Sequence, residues 1–202
     1  MLSIEAIRPP LAGIGRYAWE LATRLPQQQE IDSIRYLSDG QWSKLPAPNL
    51  DPVTEPPKNA TTMVNTVEPV LNFKGRLRKR LEQFPHYLRR KIGQVPIAAH
   101  AYSKLMPMLA SSSLDSVKDA VFHGPNYFVP KTHLPSVVTI HDLSIYRYPK
   151  WHPKARIERM QMAIPEAIER ASIILAISES TRADILNQFQ IPAERVQVTL
   201  LG

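Results

Sequence analysis

The sequence predicts an α/β fold built on a Rossmann-like, doubly wound, mostly parallel sheet. Three short apolar segments, 119–122, 137–140 and 172–177, have the composition of strands that are buried on both faces. Polar side chains follow each segment, and helical patterns separate the later ones. Because open α/β sheets bind ligands at the carboxyl ends of their strands, this edge of the sheet is the candidate site.

The rest of the prediction is organised around the segment Val137–Ile140. Its four β-branched residues indicate a fully buried strand, and it leads directly into His141 and Asp142. The segment before it ends at His123–Gly124–Pro125, where the histidine is interpreted as a turn residue rather than a cleft residue. The segment after it ends at Ser178–Glu179.

At the start of the chain, the pattern is strand, glycine loop, helix. Leu2–Ile7 is the first predicted strand, and the loop from Gly13 to Gly15 leads into a helix that Pro26 ends. The loop and Ala18 together fit a dinucleotide fingerprint. However, five residues, two of them prolines, separate the strand from the first glycine, so nicotinamide or flavin binding is disfavoured. The next predicted strand covers 31–37.

The stretch from about 41 to 114 is predicted to be an irregular excursion, because prolines and polar residues break its periodicity. A helical apolar stripe over 73–92 carries basic residues on its other side. A core helix is predicted from 97 to about 109, with Pro107 near its end. From Lys74 to Lys91, eight basic residues and the single Glu82 make +7, the net charge of the whole chain. The basic character is therefore local, which argues against a nucleic-acid partner.

Besides the strand at 172–177, two helices and a last strand are predicted after Asp142. Pro153 suits the first turn of a helix that Pro165 interrupts. Ser178 suits the N-cap of a second helix ending at about Phe189, and a last strand covers 196–200. Ser178 is interpreted as a cap rather than a nucleophile, because no Gly-x-Ser-x-Gly motif surrounds it.

Composition excludes several classes of protein. The 202 residues suit one domain or two small ones, and the absence of cysteine excludes a disulfide framework, a thiol nucleophile and Cys-ligated zinc. No apolar run approaches the roughly 20 residues of a membrane span. A metal site formed by His141, Asp142 and His152 is disfavoured, because adjacent side chains at a strand end point in opposite directions.

Five motifs, in a fixed order, carry a resemblance to a known family. They are Gly13-Ile14-Gly15-Arg16-Tyr17, Phe122-His123-Gly124-Pro125, Val138-Thr139-Ile140-His141-Asp142-Leu143, Ala176-Ile177-Ser178-Glu179-Ser180-Thr181 and Ile191-Pro192-Ala193-Glu194-Arg195-Val196. Together they resemble the amino-terminal domain of family-4 glycosyltransferases. The resemblance implies one half of a GT-B fold, in which two Rossmann-like domains face each other across a cleft. It also implies a retaining, metal-independent reaction.

The resemblance implies a role for several residues. Gly13, Ile14 and Gly15 match a loop near the donor phosphates, where a helix start offers unpaired N–H groups. His141 matches the catalytic candidate that faces the reacting sugar and the acceptor; the alternative is a histidine that only hydrogen-bonds a neighbouring loop. The remaining residues assigned to the acceptor side of the cleft are Arg16, Asn126, Tyr127, Asp142, Ser178 and Glu179.

The family's donor-binding features, a basic pair and two glutamates separated by seven residues, are missing from the sequence. We therefore expect residues 1–202 to be an amino-terminal acceptor-side domain without the carboxy-terminal donor domain. Its expected partners are a nucleotide-sugar, held by a missing or separate donor domain, and a glycan or lipid-linked acceptor, with no cofactor or metal. The alternative function is a non-catalytic remnant that associates with a membrane or a partner protein.

The basic stripe leaves two interpretations open. It is either a solvated helix face or a surface for anionic lipid, with Arg78, Lys79, Arg80, Arg89 and Arg90 as the membrane residues. The expected location is the cytoplasm, with peripheral attachment to the inner face of the membrane if the stripe binds lipid. Self-association is also expected, because the cleft face and Leu200–Leu201 would be uncovered.

Overall fold

A seven-stranded sheet forms the centre of the computed structural model, which describes residues 1–8, 11, 13–46 and 107–201. The order across the sheet is β3-β2-β1-β4-β5-β6-β7, and only the β2–β3 pair is antiparallel. The strands are β1 Leu2–Ser3, β2 Tyr36–Ser38, β3 Gln41–Ser43, β4 Phe122–Gly124, β5 Ser136–Ile140, β6 Ile173–Ala176 and β7 Val196–Val198. The predicted fold class is confirmed.

Five helical segments accompany these strands in the described residues. They are α1 Ile14–Arg24, α2 over 107–114, α3 Ser144–Arg147, α4 Lys154–Arg170 and α5 Glu179–Phe189. Short 3-10 turns cover Leu25–Gln27, Pro149–Trp151 and Ala193–Arg195.

Two clusters of buried side chains stabilise this arrangement. Leu2, Ile4 and Ile7 pack with Ala18 and Ala22, so the apolar face of α1 covers β1 and the residues that follow it. The larger cluster joins the other strands to α2, α4 and α5. Its largest buried side chains include Phe122, Leu37, Leu114, Ile140, Ile164, Ile174 and Ile185. Burial of each such side chain contributes about 1.5–3 kcal/mol to the stability of the fold, so the packing of the helices against the sheet stabilises the strands.

The order of the strands reverses at β1. Strand β1 pairs in parallel with β2 on one side and with β4 on the other, so the chain winds outward in both directions from this position. Ligands of open α/β sheets bind at the carboxyl ends of strands beside such a reversal. The carboxyl ends of β1, β4 and β5 therefore define the edge at which the site is sought, which we call the rim.

Several predicted boundaries were wrong. The strand predicted over 31–37 forms only at Tyr36–Ser38, and the first strand ends at Ser3. The strand predicted over 119–122 is Phe122–Gly124, so His123 lies within β4 and is not a turn residue. In each case the strand extends only as far as a neighbouring strand pairs with it, which apolar composition does not specify.

The excursion predicted at about 41–114 contains regular structure at both of its ends. Strand β3 lies at Gln41–Ser43, paired with β2 through a turn at Asp39 and Gly40, both of which have positive φ. Helix α2 continues to 114 and buries Ala110 and Leu114, so Pro107 does not lie near the end of that helix.

Pro165 does not interrupt its helix, contrary to the prediction. Helix α4 runs without a break from Lys154 to Arg170, with Pro165 inside it and Pro153 as its N-cap residue. Proline removes one N–H group and crowds the carbonyl four residues earlier, which is Gln161. Both residues are exposed, so water can solvate that carbonyl. The buried face, with Ile164 and Ile168, keeps the helix on the sheet.

No helix in the described residues is long and apolar enough to cross a membrane. The five basic residues predicted to contact anionic lipid, Arg78, Lys79, Arg80, Arg89 and Arg90, lie outside the described residues. Leu200 and Leu201 are exposed, as expected, while self-association stays a prediction.

Candidate active site at the rim of the sheet

His141 lies directly after β5 and is the centre of the candidate site. Only 8% of its surface is exposed, and its Nε2 lies 2.8 Å from the carbonyl oxygen of Pro125. A carbonyl can only accept, so Nε2 must carry the proton. Nδ1 makes no hydrogen bond with the described residues, which leaves it as an acceptor when the ring is neutral. The alternative to a catalytic role was a histidine that only hydrogen-bonds a neighbouring loop, and the hydrogen bond to Pro125 is a contact of that kind.

Burial keeps the His141 ring neutral near pH 7. Desolvation lowers its pKa, and the hydrogen bond to Pro125 and the charge of Asp142 oppose that shift only in part. Two tyrosines enclose the ring: the centroid of Tyr17 lies 5.0 Å away and that of Tyr127 5.7 Å away, both edge-to-face. Because these contacts hold the ring on two sides, its orientation is fixed by packing.

The hydroxyl of Thr139 joins three elements beneath His141. It lies 3.2 Å from the Tyr17 hydroxyl on α1 and 2.9 Å from His123 Nε2 on β4. Thr139 is fully buried in β5, so these are the polar contacts that compensate for its burial. Burial, with a smaller contribution from the Met1 ammonium, lowers the pKa of His123 to about 4, so this ring is neutral as well.

Tyr127 and Asp142 form a second linked pair on the rim. The Tyr127 hydroxyl donates to Asp142 Oδ2 and accepts from the Asp142 backbone N–H, both at 3.1 Å. Burial, reinforced by the nearby carboxylate, raises the pKa of Tyr127, so the hydroxyl stays protonated. Tyr127 has a φ of 55°, a conformation that non-glycine residues rarely adopt and that is often found at functional sites.

Asp142 starts the next helix as well as holding Tyr127. Its Oδ1 accepts hydrogen bonds from the backbone N–H and the hydroxyl of Ser144, the first residue of α3. Partial burial alone would raise the pKa of Asp142. The hydrogen bonds from Ser144 and Tyr127, together with the charge of Arg156, outweigh burial and lower it. The carboxylate is therefore ionised, and it fixes the loop that follows β5.

Ser178 acts as a helix cap, as predicted. Its side chain accepts from the backbone N–H of Thr181 at 3.1 Å at the start of α5. The Thr181 hydroxyl in turn donates to the carbonyl of His141 at 3.2 Å. The cap of α5 is thus linked to the backbone of His141. Glu179, in the first turn of the same helix, is exposed.

The glycine loop precedes α1 without a side-chain cap. Gly13 has a φ of 47° and forms the N-cap, and since glycine has no side chain, it makes no side-chain cap to the first N–H groups of the helix. Gly15 is required by close approach, since a Cβ atom there would lie 2.8 Å from the carbonyl oxygen of Ala6. The loop is thus shaped by backbone contacts, and its N–H groups suit an anion.

The predicted site residues therefore divide into two groups. His141, Tyr127 and Asp142 are brought together directly, and Ser178 reaches them through Thr181. Arg16 instead lies on the exposed face of α1 and pairs with Glu20 at 3.1 Å. Asn126, between Pro125 and Tyr127, is half-buried, and Ile14 is partly buried against the larger core cluster.

Sequence reasoning missed Tyr17, Thr139 and His123 as members of this cluster. The available signals were that Tyr17 belongs to the glycine motif and that Thr139 is a polar residue within the aliphatic run 137–140. No group of three or more potential metal ligands occurs in the described ranges of the chain.

Comparison with known proteins agrees with this geometry. The family model described as Glycosyltransferase Family 4 matches residues 11–202, which are most of the chain. The chain belongs to glycosyltransferase family 4. It is also 31% identical, over all 202 of its residues, to an O-antigen chain mannosyltransferase B from Escherichia coli. The chain spans 46% of the length of that relative.

Proposed function

We propose that this chain is the acceptor-side half of a retaining glycosyltransferase, which moves a sugar from a nucleotide-sugar donor to a glycan or lipid-linked acceptor. Family membership supports the reaction class, and the mannosyltransferase relative makes mannose the first sugar to test. The observation that carries the proposal is the state of His141, a buried neutral imidazole at a strand end with Nδ1 available as an acceptor.

In the proposed mechanism, His141 positions a sugar hydroxyl. Nδ1 accepts a hydrogen bond from that hydroxyl, while Nε2 stays anchored on Pro125. The acceptor oxygen then bonds to the anomeric carbon as the bond to the diphosphate breaks, and the proton of the acceptor hydroxyl passes to an oxygen of the departing diphosphate. The transition state resembles an oxocarbenium ion. A ring already held by Tyr17 and Tyr127 needs little reorganisation, so its contribution comes from prearranged geometry.

The loop from Gly13 to Gly15 is proposed to contact the donor's diphosphate. The departing group gains negative charge, and uncapped N–H groups at the start of a helix stabilise an anion without a metal ion. We propose no resident cofactor or metal, only the nucleotide-sugar as co-substrate. The donor itself is held by a second domain or polypeptide, so the 202 residues alone transfer no sugar.

A chimera tests this proposal. The chain is joined to the part of the E. coli mannosyltransferase that lies beyond the matched region, and transfer from a nucleotide-activated mannose to a lipid-linked O-antigen acceptor is measured. The 202-residue chain should show no transfer, whereas the chimera should transfer mannose with retention of the anomeric configuration, determined by NMR of the product. In the chimera, His141→Ala should lower kcat/KM about 100-fold or more.

His133 offers a matched control. Its Nε2 lies 2.8 Å from the carbonyl of Val117, the same kind of bond as that of His141, but His133 precedes β5 rather than following it. His133→Ala should therefore leave kcat/KM within about twofold of the parent chimera when both are folded. Equal losses in the two variants, or turnover by the 202-residue chain alone, would contradict the proposal.

A further inference from the structure

Two aromatic rings are stacked on the exposed segment that follows α3. The rings of Tyr148 and Trp151 lie 4.5 Å apart with an angle of 11° between their planes. Tyr148 is 44% exposed and Trp151 is 77% exposed. Single exposed apolar residues are ordinary, but two large rings held in one stack expose ring surface together at one place. We call this pair the aromatic platform.

The backbone and a neighbouring ion pair hold the platform in place. The Trp151 N–H donates to the carbonyl of Tyr148 at 3.0 Å, and the Tyr148 N–H donates to Ser144 at 2.7 Å. Arg147 lies 5.9 Å from the Tyr148 ring and donates to both carboxylate oxygens of Asp184 at 3.1–3.2 Å. Binding to a surface that is already ordered loses little conformational entropy.

The platform lies close to the candidate active site. Asp142 on the rim holds the first residue of α3, Ser144, and α3 ends at Arg147, beside Tyr148. A helix of four residues spans about 6 Å. The platform is therefore separated from Asp142 on the rim by one short helix.

Carboxylates partly offset the cations next to the platform. Three cations lie next to it in the sequence: Arg147, Lys150 and Lys154. Arg147 is paired with Asp184, and Lys154 lies 3.9 Å from Glu158. With two of the three cations partly neutralised, the local attraction for anionic lipid is weak. The C–H face of a pyranose ring, by contrast, can cover an aromatic ring while its hydroxyl groups stay in water.

From these observations, we propose that the aromatic platform of Tyr148 and Trp151 is a glycan subsite, on which a pyranose ring of the acceptor stacks beyond the reacting sugar. This proposal rests on the proposed acceptor-side function and adds to it a specific surface outside the rim cluster. The outer face of the Trp151 indole is the main contact, because its other face is covered by Tyr148.

Binding of linear mannotriose to the 202-residue chain tests the subsite, measured by saturation-transfer NMR and by titration of chemical shifts. Trp151→Ala should weaken binding about tenfold or more, a loss typical of a central aromatic contact. Trp151→Phe keeps a flat ring and should retain most of the affinity. Met162→Ala is the matched control, since Met162 is 69% exposed on α4 and should not alter binding.

The outcomes separate this inference from the proposed function. Mannotriose binding that is unchanged in Trp151→Ala overturns the subsite but leaves the acceptor role intact. In the active chimera, Trp151→Ala should raise the KM for the acceptor with little change in kcat, whereas His141→Ala should lower kcat. A second result would also overturn the subsite. If the parent chain bound vesicles containing anionic lipid and Trp151→Ala abolished that binding, the platform would be a membrane contact instead. Thermal melting of each variant verifies that it is folded.

Discussion

The loop after β1 and the ends of β4 and β5 belong to the same rim but are held by different kinds of contact. After β1, the chain is shaped by backbone: Gly15 lies against the carbonyl of Ala6, and no side chain caps α1. At the ends of β4 and β5, side chains are linked through Thr139 and through Asp142.

This difference suits the two proposed roles. Backbone N–H groups can approach a diphosphate closely only where side chains are absent. Orienting a sugar hydroxyl instead requires a side chain of fixed direction, which a hydrogen-bond network provides. The two regions should therefore respond to substitution in different ways.

Gly15→Ala should have the largest effect on stability. Its Cβ would lie 2.8 Å from the backbone oxygen of Ala6, and the backbone cannot move aside as a flexible side chain can. We expect a loss of about 3 kcal/mol in the free energy of unfolding, measured with urea. Arg16→Ala, at the next residue, should change stability by less than about 0.5 kcal/mol because Arg16 is exposed. A loss of comparable size in both variants would show that close approach does not hold this loop.

The ends of β4 and β5 should be sensitive to pH through His123. Burial lowers its pKa from 6.5 to about 4, so the unfolded chain binds a proton more readily than the folded chain between those values. The free energy of unfolding should therefore fall as the pH drops from about 6.5 towards 4, by no more than about 3 kcal/mol from this group. Below that range the contribution becomes constant.

Urea unfolding between pH 7 and 4.5 measures this dependence. His123→Gln should flatten it, and adding His141→Gln should flatten it further, because burial also lowers the pKa of His141. A slope that persists unchanged in His123→Gln would mean that folding does not lower the pKa of this histidine.

The smallest expected effect is at the end of β6, where Ser178 has a local role. Ser178→Ala removes the hydrogen bond to the Thr181 N–H and should cost about 1 kcal/mol. Ser180→Ala, two residues further on and exposed, should cost less than about 0.5 kcal/mol by the same measurement. If instead Ser178→Ala abolished transfer by the chimera without loss of stability, the cap would have a role in the reaction.

Much of the fold could be predicted because its signals are local. The strand at 136–140, the helix that Ser178 caps and the polar residues after each strand follow from composition and periodicity within short windows. The positions of His141 and Asp142 after a buried strand were therefore correct. The error at Pro165 arose because a local rule was applied without knowledge of which helix face is exposed.

The amino-acid sequence by itself determined most of the elements in order along the chain, the family resemblance and the strand end that carries His141. Only the tertiary structure decided that β1 lies beside β4, which brings Tyr17 to Thr139 across 122 residues of sequence. It also decided that the His141 ring is anchored on Pro125 and enclosed by two tyrosines. The physical reason is that periodicity records which face of an element is buried, whereas contacts between distant residues depend on the order of strands in the sheet.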